Sequence, residues 1–386
     1  MPATADREVF NFYAGPTALP APVVERIHDD LANFQGTGLG VMEISHRAPE
    51  IEFLIADAVE RTRALLGVGR DWEVLFVQGG GSLQFCMVPM NFSAPGDPVD
   101  YLDTGYWARK SIAEARTLGR DVAVVASSAD RDYSYVPSAA AIRARPDARY
   151  LHLVTNNTVE GTQLRRLPRA GVPVVADMSS DLMSDVFDAN GCDLAYAHAQ
   201  KNIGIAGVTM VVMRKSMLER IAGHGDLPGL PGRPGQPACP AVLDYRTHAA
   251  HRSNYHTPPV FSIYVTWLML GWLADEIGGL AEMGVINRHK AAALYEFLDE
   301  TPFYRALAER ESRSTMNVTF TLPTTRLLRQ FLDESGKAGF AGLAGHRSVG
   351  GCRASLFNGV TEDMVTRLID FMHGFARRNQ GGSPNA

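Results

Sequence analysis

Lys201 stands in the run Tyr196-Ala-His-Ala-Gln-Lys-Asn-Ile-Gly-Ile-Ala-Gly207, where small residues surround a single amine. A lysine that is partly desolvated keeps its amine neutral and nucleophilic toward a carbonyl. Taken alone, a lysine is far more often a solvated surface charge. Its sequence company changes that weighting. Asp177 closes the apolar run Val172-Pro-Val-Val-Ala176. The C-terminal end of a parallel strand is where open α/β sheets place ligands. The stretch Gly79-Gly80-Gly81-Ser82 follows Val74-Leu-Phe-Val77. Glycine allows close backbone approach, and N–H groups at a helix start bind phosphate. The glycines match neither the P-loop nor the dinucleotide fingerprint.

Basic residues supply the remaining chemistry. His46-Arg47, His346-Arg347 and Arg353 lie in three separate stretches. Arginine offers a planar fork to carboxylates and phosphates, so two His-Arg pairs and a further arginine suit a substrate with two anionic ends. Trp107 could stack on an aromatic ring, although a core tryptophan is the commoner case. Thr158 could hydrogen-bond a ring hydroxyl or serve a turn. Asp177 by itself reads equally well as a helix cap, and a lone arginine reads as a surface charge. Together the amine, the phosphate loop, the strand-end aspartate and the arginines describe a pyridoxal 5′-phosphate (PLP) site for anionic substrates.

These residues need rigid elements to hold them. Apolar residues at 51, 54, 55, 58, 59, 65 and 66 predict a helix over Ile51–Leu66. Strands are expected at Glu73–Val77, Pro98–Leu102, Val122–Ala126, Tyr150–Val154, Val172–Asp177, Leu194–Ala197 and Thr209–Met213, with a helix at Ala108–Leu118. Strands alternating with helices predict an α/β fold with a mostly parallel sheet. Leu227–Pro240 is rich in glycine and proline and reads as a loop, and a long buried helix is expected near 260–278. Beyond it come helix Asn287–Asp299, strand Met316–Leu322, helix Thr325–Ser335, a glycine-rich stretch 339–351, strand Cys352–Ser355 and helix Thr361–Arg377. That order predicts a large domain over 9–260 and a small α+β domain over 261–378, with the N-terminal segment packing on the latter. Residues 1–8 and 378–386 read as loose tails.

Composition narrows the classes. The net charge of −5 gives no footprint for nucleic acid. The four cysteines form no CxxC pair and no metal spacing, so they read as reduced thiols. The first residues lack a signal-peptide apolar core, and the apolar stretch Val260–Ala274 is short for a bilayer, so a cytoplasmic protein without a membrane partner is expected. Lysine occurs at only five positions, 110, 201, 215, 290 and 337, which shortens the search for a catalytic amine.

The ordered set of motifs resembles the phosphoserine aminotransferases, a family of the fold-type I PLP enzymes in aminotransferase class V. The resemblance runs from about Asn11 to Arg377. It is carried by Asn11-Phe-Tyr-Ala-Gly-Pro16, Glu43-Ile-Ser-His-Arg47, Gln78-Gly-Gly-Gly-Ser82, Gly105-Tyr-Trp107, Asn157-Thr158, Ala176-Asp-Met-Ser-Ser180, Ala199-Gln-Lys-Asn-Ile-Gly204, His256-Thr-Pro-Pro259 and Gly345-His-Arg-Ser-Val-Gly-Gly-Cys-Arg-Ala-Ser355. It implies that Lys201 binds PLP covalently, that Gly81, Ser82 and Gln200 hold its phosphate, and that His256 and Thr257 reach that phosphate from the second subunit of a homodimer. Trp107 would stack on the ring, Asp177 would pair with its nitrogen and Thr158 would contact its 3-hydroxyl. Arg353 would hold the substrate α-carboxylate, and His46, Arg47, His346 and Arg347 the distal phosphate or carboxylate. Where the family usually has asparagine before Thr-Pro-Pro, this chain has His256, which can also donate to phosphate.

The implied reaction is amino transfer between L-glutamate and 3-phosphohydroxypyruvate, giving O-phospho-L-serine and 2-oxoglutarate. The phosphorylated hydroxythreonine precursor of vitamin B6 is a related substrate. A serine–pyruvate or alanine–glyoxylate aminotransferase is the alternative, but small substrates would not need both His-Arg pairs. A cysteine desulfurase is disfavoured because Cys352 falls in an expected strand, not a mobile loop. A non-catalytic PLP-binding protein would need a lost catalytic group or an added partner segment, and the sequence shows neither.

Overall fold

The structure, a computed structural model, describes residues 8–221 and 239–379. Residues 227–238 of the expected glycine- and proline-rich loop lie outside the described residues, as do 1–7 and 380–386 of the expected tails.

Seven strands form the central sheet: β1 (Trp72–Gln78), β2 (Pro98–Asp103), β3 (Asp121–Ser127), β4 (Leu151–Val154), β5 (Val174–Asp177), β6 (Leu194–His198) and β7 (Val208–Arg214). Their spatial order is β1-β7-β6-β5-β4-β2-β3. Only β7 runs antiparallel to its neighbours; the other adjacent pairs are parallel. The apolar run in β1 has a direct cause. Val74 and Phe76 enter one hydrophobic cluster while Leu75 and Val77 enter another, because successive side chains point to opposite faces. Both faces are covered, so polar alternation is not needed.

Helices α1 (Ala21–Ala32), α2 (Pro49–Leu66), α3 (Gly81–Phe92), α4 (Tyr106–Thr117) and α5 (Val260–Gly271) precede α6 (Leu280–Glu300), α7 (Thr325–Lys337) and α8 (Glu362–Asn379). On α2, Ile51, Leu54, Ile55, Ala58 and Leu66 are buried, as helical spacing requires. Pro49 starts that helix and Gly67, with φ of 63°, ends it in the left-handed conformation. Helices α2 and α5 cover one face of the sheet, α3 and α4 the other.

A further cluster joins Phe10 and Phe12 to the second half of α6, to α7 and α8, and to a small antiparallel sheet. That sheet has the order β8 (Arg305–Ala306), β9 (Asn317–Thr321), β10 (Cys352–Ser355). Leu280 and Met283 of α6 belong to the large core, whereas Ala291, Leu294 and Leu298 belong to this one. The change of core therefore falls inside α6.

Three local differences from the sequence pattern have physical reasons. Helix α6 starts at Leu280, ahead of the expected Asn287, because Leu280 and Met283 already face the core. The expected helix near 260–278 ends as α5 at Gly271 and passes into a wide turn in which Ile277 N–H donates to Trp272 O at 3.0 Å. Gly278 and Gly279, with φ of 89° and 108°, stop it there. Helix α1 has no expected counterpart; it buries only Val23 and Asp30, too narrow a stripe to show as a pattern.

Candidate active site

The parallel strands deliver their chemistry at one edge. Asp177 is the last residue of β5, His198 the last of β6, and Gln78 the last of β1. A cavity of about 520 Å³ opens there. Ser82, Trp107, Thr158 and Asp177 line it, together with Gln200, Lys201, His346 and Arg353. Eight residues singled out from the sequence thus share one space, although they span 272 positions of chain, from Ser82 to Arg353.

The Lys201 amine is pushed down to about 8, first by desolvation and then by the Arg353 charge, against the opposing pull of Asp177. The amine is therefore neutral in a large fraction near pH 8, as a nucleophile toward an aldehyde must be. Asp177 is buried, and burial raises its pKa. Hydrogen bonds from Ser179 and Tyr196 and the Lys201 charge oppose that rise. Ser179 N–H donates to Asp177 Oδ1 at 2.9 Å, and the Ser179 hydroxyl donates to the same oxygen. Behind it, Tyr196 OH lies 2.9 Å from Nε2 of the buried His152. Burial holds His152 neutral, well below its usual range. The carboxylate is thus supported by donors suited to an ionised partner of a protonated ring nitrogen.

At the other end of the cavity, α3 begins without a side-chain cap. Its first N–H groups, on Gly81 and Ser82, have no intrahelical acceptor, which makes an anion site beside the Ser82 hydroxyl. Gly81 itself is buried in the wall. A Cβ there would lie 1.8 Å from His198 Nε2. His198 also lines the cavity, and its Nδ1 sits 3.1 Å from Gln200 Nε2. We expect Gly81→Ala to cost about 1–3 kcal/mol of stability through overpacking and to weaken cofactor binding at least tenfold. Thermal melts and PLP titration of the apoprotein check this; unchanged affinity would show that the imidazole can retreat.

Trp107 and Thr158 meet directly, with Trp107 Nε1 donating to Thr158 Oγ1 at 3.0 Å. The threonine still has its own O–H proton to donate. Arg353, on β10, reaches across from the small sheet and donates from Nη1 to Thr158 O at 2.7 Å. Its Nε is buried without a hydrogen-bond partner among the described residues. A half-buried guanidinium with a buried, unused donor is prepared for an anion. His346 packs its ring 4.7 Å from Tyr106, just outside Arg353.

Six expected site residues do not line this cavity: Gly81, whose neighbours Gly80 and Ser82 do, and His46, Arg47, His256, Thr257 and Arg347. His256 Nε2 instead lies 2.8 Å from Gln78 Oε1. Asn254 Nδ2 donates to His46 O at 2.8 Å, so the 46–47 and 254–257 stretches sit side by side. Arg47, Thr257 and Arg347 are exposed.

Several participants were missed from sequence. His198 and Tyr196 lie two residues apart on β6, which puts them on one face; that alternation was the available signal. Gly15, at φ of 123°, lets the N-terminal segment pass over Gln200 and Lys201, where a Cβ would meet both side chains at 3.4–3.5 Å. Asn156 donates to Ser180 Oγ at 2.7 Å and to Asn317 Oδ1 at 2.8 Å, joining the large sheet to β9.

This fold and site define a class, and the comparison with known families agrees: the chain belongs to the class-V aminotransferases, whose family model matches residues 9–368. Within that class it is 46% identical to the phosphoserine aminotransferase of Syntrophobacter fumaroxidans over 97% of this chain and 99% of that protein. The solved phosphoserine aminotransferase of Bacillus circulans subsp. alkalophilus superposes with a TM-score of 0.89 at 41% identity, covering 96% of this chain and 99% of that one. A PLP-bound phosphoserine aminotransferase from Trichomonas vaginalis gives a TM-score of 0.85 at 33% identity, covering 95% and 100%.

Proposed function

We propose that this chain is a PLP-dependent phosphoserine aminotransferase. It exchanges an amino group reversibly between L-glutamate and 3-phosphohydroxypyruvate, giving O-phospho-L-serine and 2-oxoglutarate in serine biosynthesis. The observation that carries the reading is the single cavity in which a desolvated lysine, a buried aspartate, an uncapped helix start and a half-buried arginine converge. Near-full-length likeness to proteins of that name supports the choice of substrates.

The residues present fit PLP. The α3 start with Ser82 and Gln200 suits a phosphate, the buried Asp177 suits a protonated ring nitrogen, and Lys201 suits an aldehyde. When bound, PLP supplies the electron sink that makes a substrate Cα–H bond acidic. The protein's part is to place and protonate. Asp177 would keep the ring nitrogen protonated, Trp107 would cover the ring, and Thr158 would donate to its hydroxyl. The Lys201 amine removes the proton from substrate Cα as general base and redelivers it as general acid. Arg353 orients the α-carboxylate common to both amino acids, while His346 faces the distal anion. Arg353→Ala should reduce kcat/KM for both half-reactions by about 30-fold or more, since a desolvated charge partner is worth about 2–5 kcal/mol. A loss confined to one half-reaction in stopped-flow traces would remove Arg353 from that role.

The same reading needs a second subunit. His46, Arg47, His256 and Thr257 carry anion-binding groups yet lie outside this chain's cavity. Leu39, Met42, Phe53 and Tyr255, in or beside the same stretches, expose 37–63% of their surface. We assign this face to a homodimer contact through which each subunit completes its partner's site; Arg347 adds charge beside His346.

The test is spectroscopic. Glutamate should bleach the visible cofactor band of the holoenzyme, and 3-phosphohydroxypyruvate should restore it, whereas pyruvate or glyoxylate should not. A band restored only by the small keto acids would move the chain to the alanine–glyoxylate type.

A further inference from the structure

We propose that Glu160 is a positioning residue that holds the Trp107 turn in place and, by losing a proton, loosens the grip of Arg353 on the substrate α-carboxylate. The inference rests on the reading of Lys201, Trp107 and Arg353 given above, and concerns a residue outside the cavity lining.

Glu160 is 6% exposed, an unusual place for a carboxylate without an ion-pair partner among the described residues. Its Oε1 accepts the Tyr106 N–H at 2.7 Å, at the first residue of α4. Its carboxyl group packs against Gly105, where a Cβ would lie 2.6 Å from Oε2, and Gly105 has φ of 154°. Only glycine tolerates both the approach and the dihedral. The turn Gly105-Tyr106-Trp107 is thus moulded on one carboxyl group. The main chain of Glu160 is anchored as well: its carbonyl accepts from Thr319 Oγ1 of β9 at 2.9 Å. Glu160 therefore bridges the helix that carries Trp107 and the small sheet that carries Arg353.

Its second oxygen, Oε2, is buried with no hydrogen-bond partner among the described residues, and so is Arg353 Nε. Burial lifts the Glu160 carboxyl to about 7, against the Tyr106 N–H and the charges of Arg109 and Arg353. Arg109 approaches from α4, Arg353 from β10, and Tyr133 from the loop after β3, its hydroxyl bonded to Asp103 at 3.2 Å. Glu160 also acts on the Arg353 guanidinium and favours its protonated form.

The sign follows. Below about pH 7 Glu160 is neutral, and the positive field of Arg353 is available to substrate. As pH rises through 7, the Glu160 anion shares that field, and an incoming carboxylate meets a negative charge behind the arginine. By reciprocity, a carboxylate bound at Arg353 must favour protonation of Glu160.

The experiment compares the wild-type holoenzyme with Glu160→Gln and Glu160→Ala, using glutarate as a non-reacting dicarboxylate and reading its Kd from the perturbed cofactor band between pH 6 and 8.5. A coupling of half to one pKa unit makes the wild-type Kd for glutarate, and the KM for glutamate, rise about 3- to 10-fold over that range. Glutamine keeps an oxygen for Tyr106 N–H but cannot ionise, so Glu160→Gln should lose this component while its band position stays wild-type. Any titration of the Lys201–cofactor linkage is common to both proteins and cancels in the comparison. Glu160→Ala should shift the band and its pH titration through Trp107, and the glutamine variant should rescue that shift. Identical pH slopes in wild type and Glu160→Gln overturn the ionisation role. An unshifted band in Glu160→Ala overturns the positioning role. Absence of any band in wild type with PLP would instead remove the underlying cofactor reading.

Discussion

Lys201→Ala eliminates steady-state turnover, by about 10⁴-fold or more, because one amine serves both as the point of covalent attachment and as the proton carrier. The variant should still fold. The lysine lies in a loop after β6, and the two hydrophobic clusters that cover the sheet do not depend on it. It should also still bind PLP through Ser82, Gln200 and the α3 start, but borohydride reduction should fix no cofactor to the protein. A second consequence concerns pH. With the amine held at about 8 by desolvation, the neutral fraction grows as pH rises through 8, so covalent capture of PLP by the wild-type apoprotein should accelerate between pH 7 and 9. A rate independent of pH over that interval would place the amine in a more polar environment. Substantial steady-state activity in Lys201→Ala would overturn the assignment.

Asp177→Asn should have the next largest effect. The substitution keeps size and leaves the Ser179 and Tyr196 contacts near their places, but removes the negative charge that a protonated ring nitrogen needs. Breaking a buried charge pair from one side costs about 3–5 kcal/mol, or 10²- to 10³-fold or more in kcat. Wild-type Asp177 has its pKa raised by burial and pulled back by Ser179, Lys201 and Tyr196. Removing one of those supports, as in Tyr196→Phe, should reproduce a weaker form of the same defect. The diagnostic is the half-reaction: Asp177→Asn should slow proton removal from glutamate in single-turnover traces and raise the primary isotope effect on Cα deuteration. Unaltered single-turnover rates would mean that Asp177 supports the backbone turn at Ser179 and not the cofactor.

The architecture was largely legible in the chain itself. Runs such as Val74–Val77 and Val172–Ala176 report strands buried on both faces, and glycines mark the turn where a ligand phosphate can approach. Lys201, Asp177 and Ser82 could be found because each ends or follows such a run. Periodicity and turn chemistry are local, so sequence determines them. What it could not determine is distance between remote residues. Arg353 and Thr158 meet at 2.7 Å across 195 positions, while His46 and Arg47, equally basic, fall outside the same cavity. His198 carries only the two-residue alternation it shares with Tyr196, and Glu160 carries no local mark of function. One fills the space that Gly81 leaves, and the other moulds the turn at Gly105, and both relations arise only when strand ends and helix starts are brought to one edge of the sheet. The pKa values near 8 for Lys201 and near 7 for Glu160 were decided by the tertiary structure for the same reason. Desolvation is a property of what surrounds a charge, and the chain acquires those surroundings only on folding.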